Sequence, residues 1–324
     1  MFSFLHMASF TMKIHCFQRN FSFSSSALVP VQLPSRMETH FWYILPDEVK
    51  SATLLNQYLD ILSPCEKENV LRMHGDNLKK SALLARALVR TTIARYQINS
   101  QVSPTSLKFR KNIYGKPEVD WQNHYDRNPP PLHFNISHTS SLIACGVTLD
   151  SPIGIDVEEK QRTTKNNILS FARRYFSPMK WNPYLLFQTL KFSGRNFKIM
   201  DTQGEEAYVK ALGRGFSAAP FKNFTIRFRA ATEGHLHLSG NSNSKASEII
   251  VESSDDPKTL TSNWQFALLE LTGSHYAAIC KEKDDDTVEG KGSVPMKLTV
   301  RKTIPFVEDQ CISGKDALVL VGGL

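Results

Sequence analysis

The sequence predicts an α+β fold, because helical and strand-like patterns alternate along the chain without a regular β-α-β repeat. The 324 residues are 41% hydrophobic and 22% charged, which is typical of a globular protein. This length favours two units of about 110 to 160 residues, although one large domain would also fit. The sequence contains no apolar run of about eighteen residues, so a membrane span is not expected.

The first 37 residues have the composition of an organellar transit peptide. They contain no Asp or Glu, but they contain Lys13, Arg19 and Arg36 together with serines at 22 and 24–26. We expect this leader to direct the chain to mitochondria, with plastid or cytosol as alternatives. A disordered start, or initiation at Met37, would explain the same composition.

The first globular elements follow directly. The apolar run Phe41 to Leu45 predicts a buried strand, and residues 46–47 predict a turn. Residues Ser81 to Tyr96 predict a helix with an apolar side. Arg86 and Arg90 lie four residues apart on another side of it, and a solvated basic face is their simplest interpretation.

Strands dominate the rest of the chain. After a proline-rich break at 128–131, the apolar runs Leu132 to Ile136 and Leu142 to Leu149 predict two strands. A Ser-Pro turn then leads to a strand from Ile153 to Glu158. Glu205 to Leu212 predicts a helix that ends at Gly213. Later apolar runs predict four further strands, at 224–228, 236–238, 264–271 and 276–280.

Two carboxylates on the strand from Ile153 to Glu158 are candidate metal ligands. Asp156 and Glu158 are two residues apart, so both project from the same face of that strand. Carboxylate oxygens suit Mg²⁺, which usually combines one or two of them with phosphates and water. A solvated strand face carries the same pattern, so the pair alone is weak evidence.

The predicted helix after residue 204 carries a second pair of charges. Glu206 and Lys210 are four residues apart and share a face, so their simplest interpretation is a surface ion pair. A functional interpretation requires the helix to pack beside the strand of Asp156. Glu206 would then complete a three-carboxylate site, and Lys210 would meet a phosphate.

Two short motifs precede these residues: Tyr114-Gly-Lys-Pro117 and Phe134-Asn-Ile-Ser-His-Thr139. Each alone would be taken as a turn or a strand end. In order with Gly-Ile-Asp-Val-Glu at 154–158 and Glu-Ala-Tyr-Val-Lys-Ala-Leu-Gly at 206–213, they resemble the long, two-lobed class of 4'-phosphopantetheinyl transferases. The resemblance covers roughly residues 40 to 310, and it is strongest to plant members with organelle-type leaders.

This resemblance implies a pseudo-dimer of two similar α/β lobes with a cofactor cleft between them. The corresponding boundaries are a leader at 1–37, an N-terminal lobe at 38–154, a C-terminal lobe with the metal site at 155–312, and a tail at 313–324. The chain would act as a monomer.

The resemblance also implies a function of the holo-[acyl-carrier-protein] synthase type. The enzyme would move 4'-phosphopantetheine from coenzyme A to a serine of a carrier protein and release 3',5'-ADP. Asp156, Glu158 and Glu206 would hold Mg²⁺, and Glu206, Lys210 and His138 would be the catalytic residues. The expected coenzyme A contacts are Arg86, Lys116, Asn135, Ser137, His138, Asp156 and Lys210.

The partner expected from the resemblance is an acidic acyl carrier protein. The formal charge of +8 agrees, because a positive surface steers the encounter with an acidic protein. Nucleic acid would be attracted too, but the sequence lacks an aromatic-interleaved basic signature, so none is expected. Five scattered cysteines without a C-x-x-C motif favour neither a disulfide framework nor a thiolate zinc site. The polar stretch around Asp284 to Asp286 predicts a surface loop.

One segment departs from the family pattern. The family has Trp-x-x-Lys before the glutamate of the metal site, whereas this chain has Thr202 and Glu205 at those positions, and residues 179–205 do not match. An acidic residue beside a pyrophosphate site would cost on the order of 1 to 3 kcal/mol. A catalytically impaired paralogue, or a mis-spliced form that binds coenzyme A or a carrier protein without efficient transfer, therefore remains the alternative.

Overall fold

The computed structural model describes residues 28–96, 103–121, 131–161, 204–213, 224–229, 247–253, 263–283, 296–313 and 318–323. Within them the fold is α+β, as predicted. The helices are α1 (Ala52–Asp60), α2 (Pro64–Leu71), α3 (Asp76–Ala94) and α4 (204–212). The strands are β1 (Glu38–Ile44), β2 (Lys108–Lys111), β3 (Pro117–Asp120), β4 (Leu132–His138), β5 (Ile143–Leu149), β6 (Ile153–Glu159), β7 (Phe224–Arg229), β8 (Ser247–Ser253), β9 (Trp264–Leu271), β10 (His275–Glu282), β11 (Lys297–Ile304), β12 (Glu308–Cys311) and β13 (Leu318–Gly323).

The strands form two large sheets and one hairpin. The first sheet has the order β12-β11-β1-β5-β4, and the second has the order β6-β10-β9-β13-β8-β7. β2 and β3 pair with each other. In the first sheet β1 and β11 run parallel, with Glu38 opposite Lys297. β4 and β6 stand at the ends of their sheets and contact each other, so the two sheets meet along these two strands.

The first strand, β1, is apolar on both faces because each face packs into a different hydrophobic core. Trp42 and Ile44 lie in a core shared with α1, α2 and α3. Phe41 and Tyr43 lie in a second core, which contains Ile155 of β6 and apolar side chains of β9 and β10. A strand buried on both faces reads as a continuous apolar run, which is the pattern that predicted it.

The sheets draw on distant parts of the sequence. β11 and β12, from residues 297–311, complete the first sheet beside β1. β13, which lies within the segment assigned to a tail, pairs with β9 and β8 of the second sheet. The lobe boundaries remain a prediction. None of the helices in these described ranges is long and apolar enough to cross a membrane.

Helix α3 corrects two predictions. It begins at Asp76 rather than Ser81, because its exposed first turn is polar and carries no apolar periodicity. Arg90 is 1% exposed rather than solvated. Its guanidinium donates to Glu66 Oε2 at 2.5 and 2.8 Å and to the carbonyl of Leu107 at 3.0 Å, so the cation is compensated inside the fold.

Residues 28–36 belong to the predicted leader, yet the structure shows them packed on the folded chain. Val31 N–H donates to Arg95 O at 3.0 Å, and the side chains of Val31 and Leu33 lie against the first core. The buried Lys281 ammonium donates to Arg36 O, and the Arg36 guanidinium lies 3.1 Å from Asp150. This segment is part of the fold.

A chain that begins at Met37 is therefore expected to be less stable than one that begins at Leu28. It loses the packing of two aliphatic side chains and several hydrogen bonds, together on the order of 2 kcal/mol. Urea denaturation of both truncated chains measures the difference. The chain from Leu28 is the control, and equal midpoints for the two would show that residues 28–36 contribute nothing.

Candidate functional site

The alternation of β6 separates a core face from a site face. Ile153, Ile155 and Val157 enter the second core. Gly154 faces α4 so closely that a Cβ on it would lie 1.9 Å from Ala207 O and 2.3 Å from Ala211 N. Helix α4 therefore crosses β6 at a position where only glycine fits. The helix packs beside the strand of Asp156, which was the condition for a functional interpretation of Lys210.

Asp156, Lys210 and Ser137 contact one another directly. Asp156 is 5% exposed, and its Oδ1 lies 2.5 Å from Lys210 Nζ and 3.0 Å from Ser137 Oγ. Lys210 Nζ also donates to Ser137 Oγ at 3.1 Å. Three residues from three separate motifs thus form one network of charge-assisted hydrogen bonds. Lys210 forms its ion pair with Asp156 of β6, whereas the simplest interpretation of the sequence had paired it with Glu206 on its own helix.

Side chains of β4 join the two sheets beside this network. Asn135 Oδ1 accepts from Ile155 N–H at 2.9 Å, and Ser137 Oγ accepts from Val157 N–H at 3.2 Å. These two amides flank Asp156 in the chain. β6 lies at the edge of its sheet, and the polar side chains of β4 accept the hydrogen bonds that a neighbouring strand would otherwise accept from its N–H groups. These bonds fix the position of Asp156.

Lys116 lies between β6 and α4. Its ammonium donates to Ile153 O at 2.9 Å and to Ala211 O at 3.3 Å. Burial lowers its pKa to about 8, partly opposed by the nearby Glu118 and Cys280. Because two backbone carbonyls receive this ammonium, Lys116 connects the strand of Asp156 to the helix of Lys210.

The lowered pKa predicts a pH-dependent contribution to stability. Between pH 8 and the ordinary lysine pKa of 10.5, the unfolded chain binds more protons at residue 116 than the folded chain. The contribution of this group to the free energy of unfolding therefore rises as the pH rises through that window. The unfolding free energy of the parent minus that of Lys116→Met should be larger at pH 10 than at pH 7.5.

Urea denaturation at both pH values measures this difference. Subtracting the variant from the parent cancels the contribution of most other titrating groups, because both chains contain them. Lys108→Met is the matched control, since Lys108 is an exposed lysine on the same hairpin. A parent-minus-variant difference that stays flat or falls over this window would contradict the lowered pKa of Lys116.

The other predicted site residues are placed as follows. Glu158 and Glu206 are half-buried on β6 and α4, and His138 is exposed at the end of β4. Arg86 is half-buried on α3, where its guanidinium donates to Ala82 O at 2.9 Å. Glu205 is 3% exposed, so it lies inside the fold. Thr202 and residues 179–203 lie outside the described residues, as do 236–238 and 284–286.

The three expected metal ligands are not gathered into a metal centre. Throughout the residues that the structure describes, no group of three or more His, Cys, Asp or Glu side chains is arranged to hold a metal ion. At Asp156, the cation in contact with the carboxylate is the Lys210 ammonium. The assignment of Asp156, Glu158 and Glu206 to a Mg²⁺ site therefore stays a prediction.

A polar network that the sequence patterns did not single out holds the loop after His138. Glu159 Oε1 accepts from the hydroxyls of Ser140 and Ser141, both at 2.6 Å. These two bonds lower the pKa of Glu159. His275 Nε2 lies 2.9 Å from Ser141 Oγ, and burial lowers the pKa of His275. The adjacent serines were the only sequence signal for this loop anchor.

A cavity of about 870 Å³ lies elsewhere, between residues 28–35, β1 and β11. Its lining includes Glu38, His40, Arg95 and Arg301. None of the predicted site residues lines it, so this cavity is not the expected cofactor cleft.

Comparison with known proteins agrees with the motifs. Residues 50–148 match the family model described as "4'-phosphopantetheinyl transferase, N-terminal". The chain is 28% identical to the 4'-phosphopantetheinyl transferase Sfp of Bacillus subtilis (strain 168) over 182 residues, which are 56% of this chain and 73% of that protein. It is 26% identical to another 4'-phosphopantetheinyl transferase of Bacillus subtilis over 59% of this chain and 77% of the relative.

A third relative comes from Nostoc. The chain is 29% identical to the 4'-phosphopantetheinyl transferase HetI of Nostoc sp. (strain PCC 7120 / SAG 25.82 / UTEX 2576) over 56% of this chain and 70% of the relative. The family model and these relatives carry the same description, so the chain is similar to 4'-phosphopantetheinyl transferases over more than half of its length.

Proposed function

We propose that this chain transfers 4'-phosphopantetheine from coenzyme A to a serine of an acyl carrier protein. The observation that supports this best is the network of Asp156, Lys210 and Ser137, in which residues of three family-like motifs contact one another. Relatives that align over more than half of the chain are named 4'-phosphopantetheinyl transferases, which supports the same reaction type.

In this reaction the serine Oγ forms a bond to phosphorus, the bond from phosphorus to the 3',5'-ADP oxygen breaks, and the serine proton is lost. The main obstacle is the negative charge of the pyrophosphate. Lys210 Nζ, held by Asp156 at 2.5 Å, supplies a fixed positive charge that can bind a phosphate oxygen. We propose Glu206, half-buried on the same helix, as the base that accepts the serine proton.

The remaining assignments are proposals that rest on the resemblance. Mg²⁺ would stabilise the phosphate charge when bound. Asn135, Ser137 and Arg86 are candidate coenzyme A contacts, and His138, exposed at the end of β4, would contact the nucleotide. The acceptor would be an acidic carrier protein that docks on a monomer. We also propose that this chain has the two lobes of the family and that coenzyme A binds in the cleft between them.

The experiment is mass spectrometry of a carrier protein incubated with the chain, coenzyme A and Mg²⁺. Transfer adds about 340 Da to one serine, together with one equivalent of 3',5'-ADP. A parallel sample with Asp156→Asn should remain unmodified. An unmodified carrier protein in both samples, with a correctly folded chain, would reject the transferase function.

One observation favours a second function. Glu205 is 3% exposed on α4, at a position where the resemblance calls for lysine. A chain with this replacement could bind coenzyme A or the carrier protein without efficient transfer. Calorimetry with coenzyme A separates the two functions, because binding without the mass increase would support the impaired paralogue.

We also propose that the leader directs the chain to mitochondria. Its support is the acid-free, serine-rich composition of residues 1–37. Fusion of these residues to a fluorescent reporter tests it, and a plastid or diffuse cytosolic signal would reject the mitochondrial assignment.

A further inference from the structure

The hairpin of β2 and β3 ends in a turn that fixes the backbone of Lys116. Asn112 Oδ1 accepts from the N–H groups of Tyr114 and Lys116, at 2.9 and 3.0 Å. Gly115 has a φ of 90°, a conformation that favours glycine. Residues 112–116 are thereby locked into one turn, which sets the direction in which the Lys116 side chain leaves the backbone.

Two side chains of this turn reach the C-terminal end of α4. Asn112 Nδ2 donates to Gly213 O at 3.0 Å, and Lys116 Nζ donates to Ala211 O at 3.3 Å. The last carbonyls of a helix have no partners within the helix, and cations stabilise them. Gly213 has a φ of 65°, and a Cβ there would lie 3.2 Å from both Asn112 Nδ2 and Lys116 Cδ. The turn and the helix end are therefore closely fitted.

The same ammonium also reaches β6. Lys116 Nζ donates to Ile153 O at 2.9 Å, and Ile153 precedes Asp156 by three residues. Ala211, the other acceptor, follows Lys210 directly. One lysine thus bonds the strand that carries Asp156 and the helix that carries Lys210. Its bonds go to main-chain carbonyls, so they depend on the relative position of β6 and α4.

We propose that Lys116, oriented by Asn112, is a positioning residue that holds α4 against β6 and so keeps Lys210 on Asp156. The expected effect on transfer rests on the proposed function. The expected effect on the position of α4 does not. Lys116 acts through the strand and the helix. Its contribution to transfer is made through Lys210 and Asp156 and requires no contact between Lys116 and coenzyme A.

The kinetic test compares Lys116→Met, Lys116→Arg and Asn112→Ala with Lys108→Met, an exposed lysine of the same hairpin, as the control. Lys116→Met should lower kcat on the order of ten- to hundredfold, the usual effect of a small displacement of catalytic groups. The Kd for coenzyme A should stay within about threefold of the parent value. Lys116→Arg, which retains a cationic donor, should recover part of kcat, and Asn112→Ala should lose part of it.

A Kd for coenzyme A that weakens by more than about tenfold in Lys116→Met, with kcat unchanged, would make Lys116 a cofactor contact and overturn the inference. Equal kinetics of Lys116→Met and Lys108→Met would overturn it as well.

Amide hydrogen exchange tests the structural part without any turnover. In Lys116→Met and in Asn112→Ala, exchange should accelerate in α4 and at the start of β6, while α3 keeps its parental protection. Unchanged exchange in α4 would overturn the inference. If the parent chain transfers nothing, the proposed function fails, and the exchange data still decide whether Lys116 holds α4. A global loss of protection in Lys116→Met leaves Asn112→Ala, which retains Lys116 but removes the side chain that orients it and that bonds Gly213 O, as the deciding variant.

Discussion

Replacement of Gly154 by alanine is expected to destabilise the protein by at least about 3 kcal/mol and to remove transfer activity. The added Cβ would lie 1.9 Å from Ala207 O and 2.3 Å from Ala211 N. Both atoms belong to the backbone of α4, so no side-chain rotation relieves the overlap. The helix must move away from β6, and Lys210 would lose its contact with Asp156. A displacement of about 1 Å at reacting groups can cost on the order of a hundredfold in rate.

Gly146→Ala is the matched control for this prediction. A Cβ on Gly146 would lie 2.7 Å from Ile155 Cγ2 and 2.9 Å from Ile153 Cδ1, which are side-chain methyl groups rather than backbone atoms. These can shift, so the expected loss is about 1 kcal/mol. Urea denaturation and the transfer assay measure both variants. Parental stability in Gly154→Ala would show that α4 does not cross β6 at Gly154.

Local patterns were sufficient to predict the two elements that carry the central network. β6 alternates between Ile153, Ile155 and Val157 on one face and Gly154, Asp156 and Glu158 on the other, and a strand with this alternation was predicted. Helix α4 was predicted with its end at Gly213, which has the expected positive φ of 65°. What the sequence left conditional was their contact. A glycine inside a strand often marks a close backbone approach, so Gly154 was the available signal.

Local sequence patterns could not predict which distant segments pair with each other. β11 pairs with β1 across most of the chain length, and no local periodicity specifies such a partner. β2 is largely exposed and polar, so it lacked the apolar alternation that identifies strands. Arg90 looked solvated because its partner, Glu66, lies on a separate helix. The burial of a charge depends on a neighbour that helical periodicity cannot identify.

Two polar residues of the motif at 134–139 have a structural contact that the motif itself did not indicate. Asn135 and Ser137 are candidate coenzyme A contacts by resemblance, yet in the structure both accept hydrogen bonds from amides of β6. An edge strand with unpaired N–H groups needs such acceptors. Whether a polar side chain faces a ligand or a strand edge depends on sheet order, which the motif itself does not encode.

The second large effect is expected at the Asp156–Lys210 pair. Asp156→Asn keeps the size of the side chain but removes the negative charge from a site that is 5% exposed. Lys210, whose side chain is 21% exposed, would lose its ionic partner. Breaking a buried ion pair from one side costs about 3 to 5 kcal/mol in stability. Because Lys210 is not fully buried, a loss of about 2 kcal/mol is expected, and transfer should fall by about a thousandfold or more.

Lys210→Met tests the same pair from the other side. It leaves the buried Asp156 carboxylate with the hydroxyl of Ser137, at 3.0 Å, as its remaining donor from this network. Stability should fall again, and transfer should fall as far as in Asp156→Asn. Arg110→Met is the control, since Arg110 and Glu118 form an exposed pair at 3.2 Å. Pairs of that kind contribute about 0 to 1 kcal/mol.

The double variant Asp156→Asn/Lys210→Met separates the structural role of this pair from its catalytic role. Removing both charges leaves neither one buried without a partner. The double variant should therefore lose less stability than the sum of the losses of the two single variants. Transfer should stay at the level of the single variants, because neither the carboxylate nor the ammonium is restored. Strictly additive stability losses would show that the two groups do not interact in solution. Near-parental turnover in any of the three variants would show that transfer does not depend on this network.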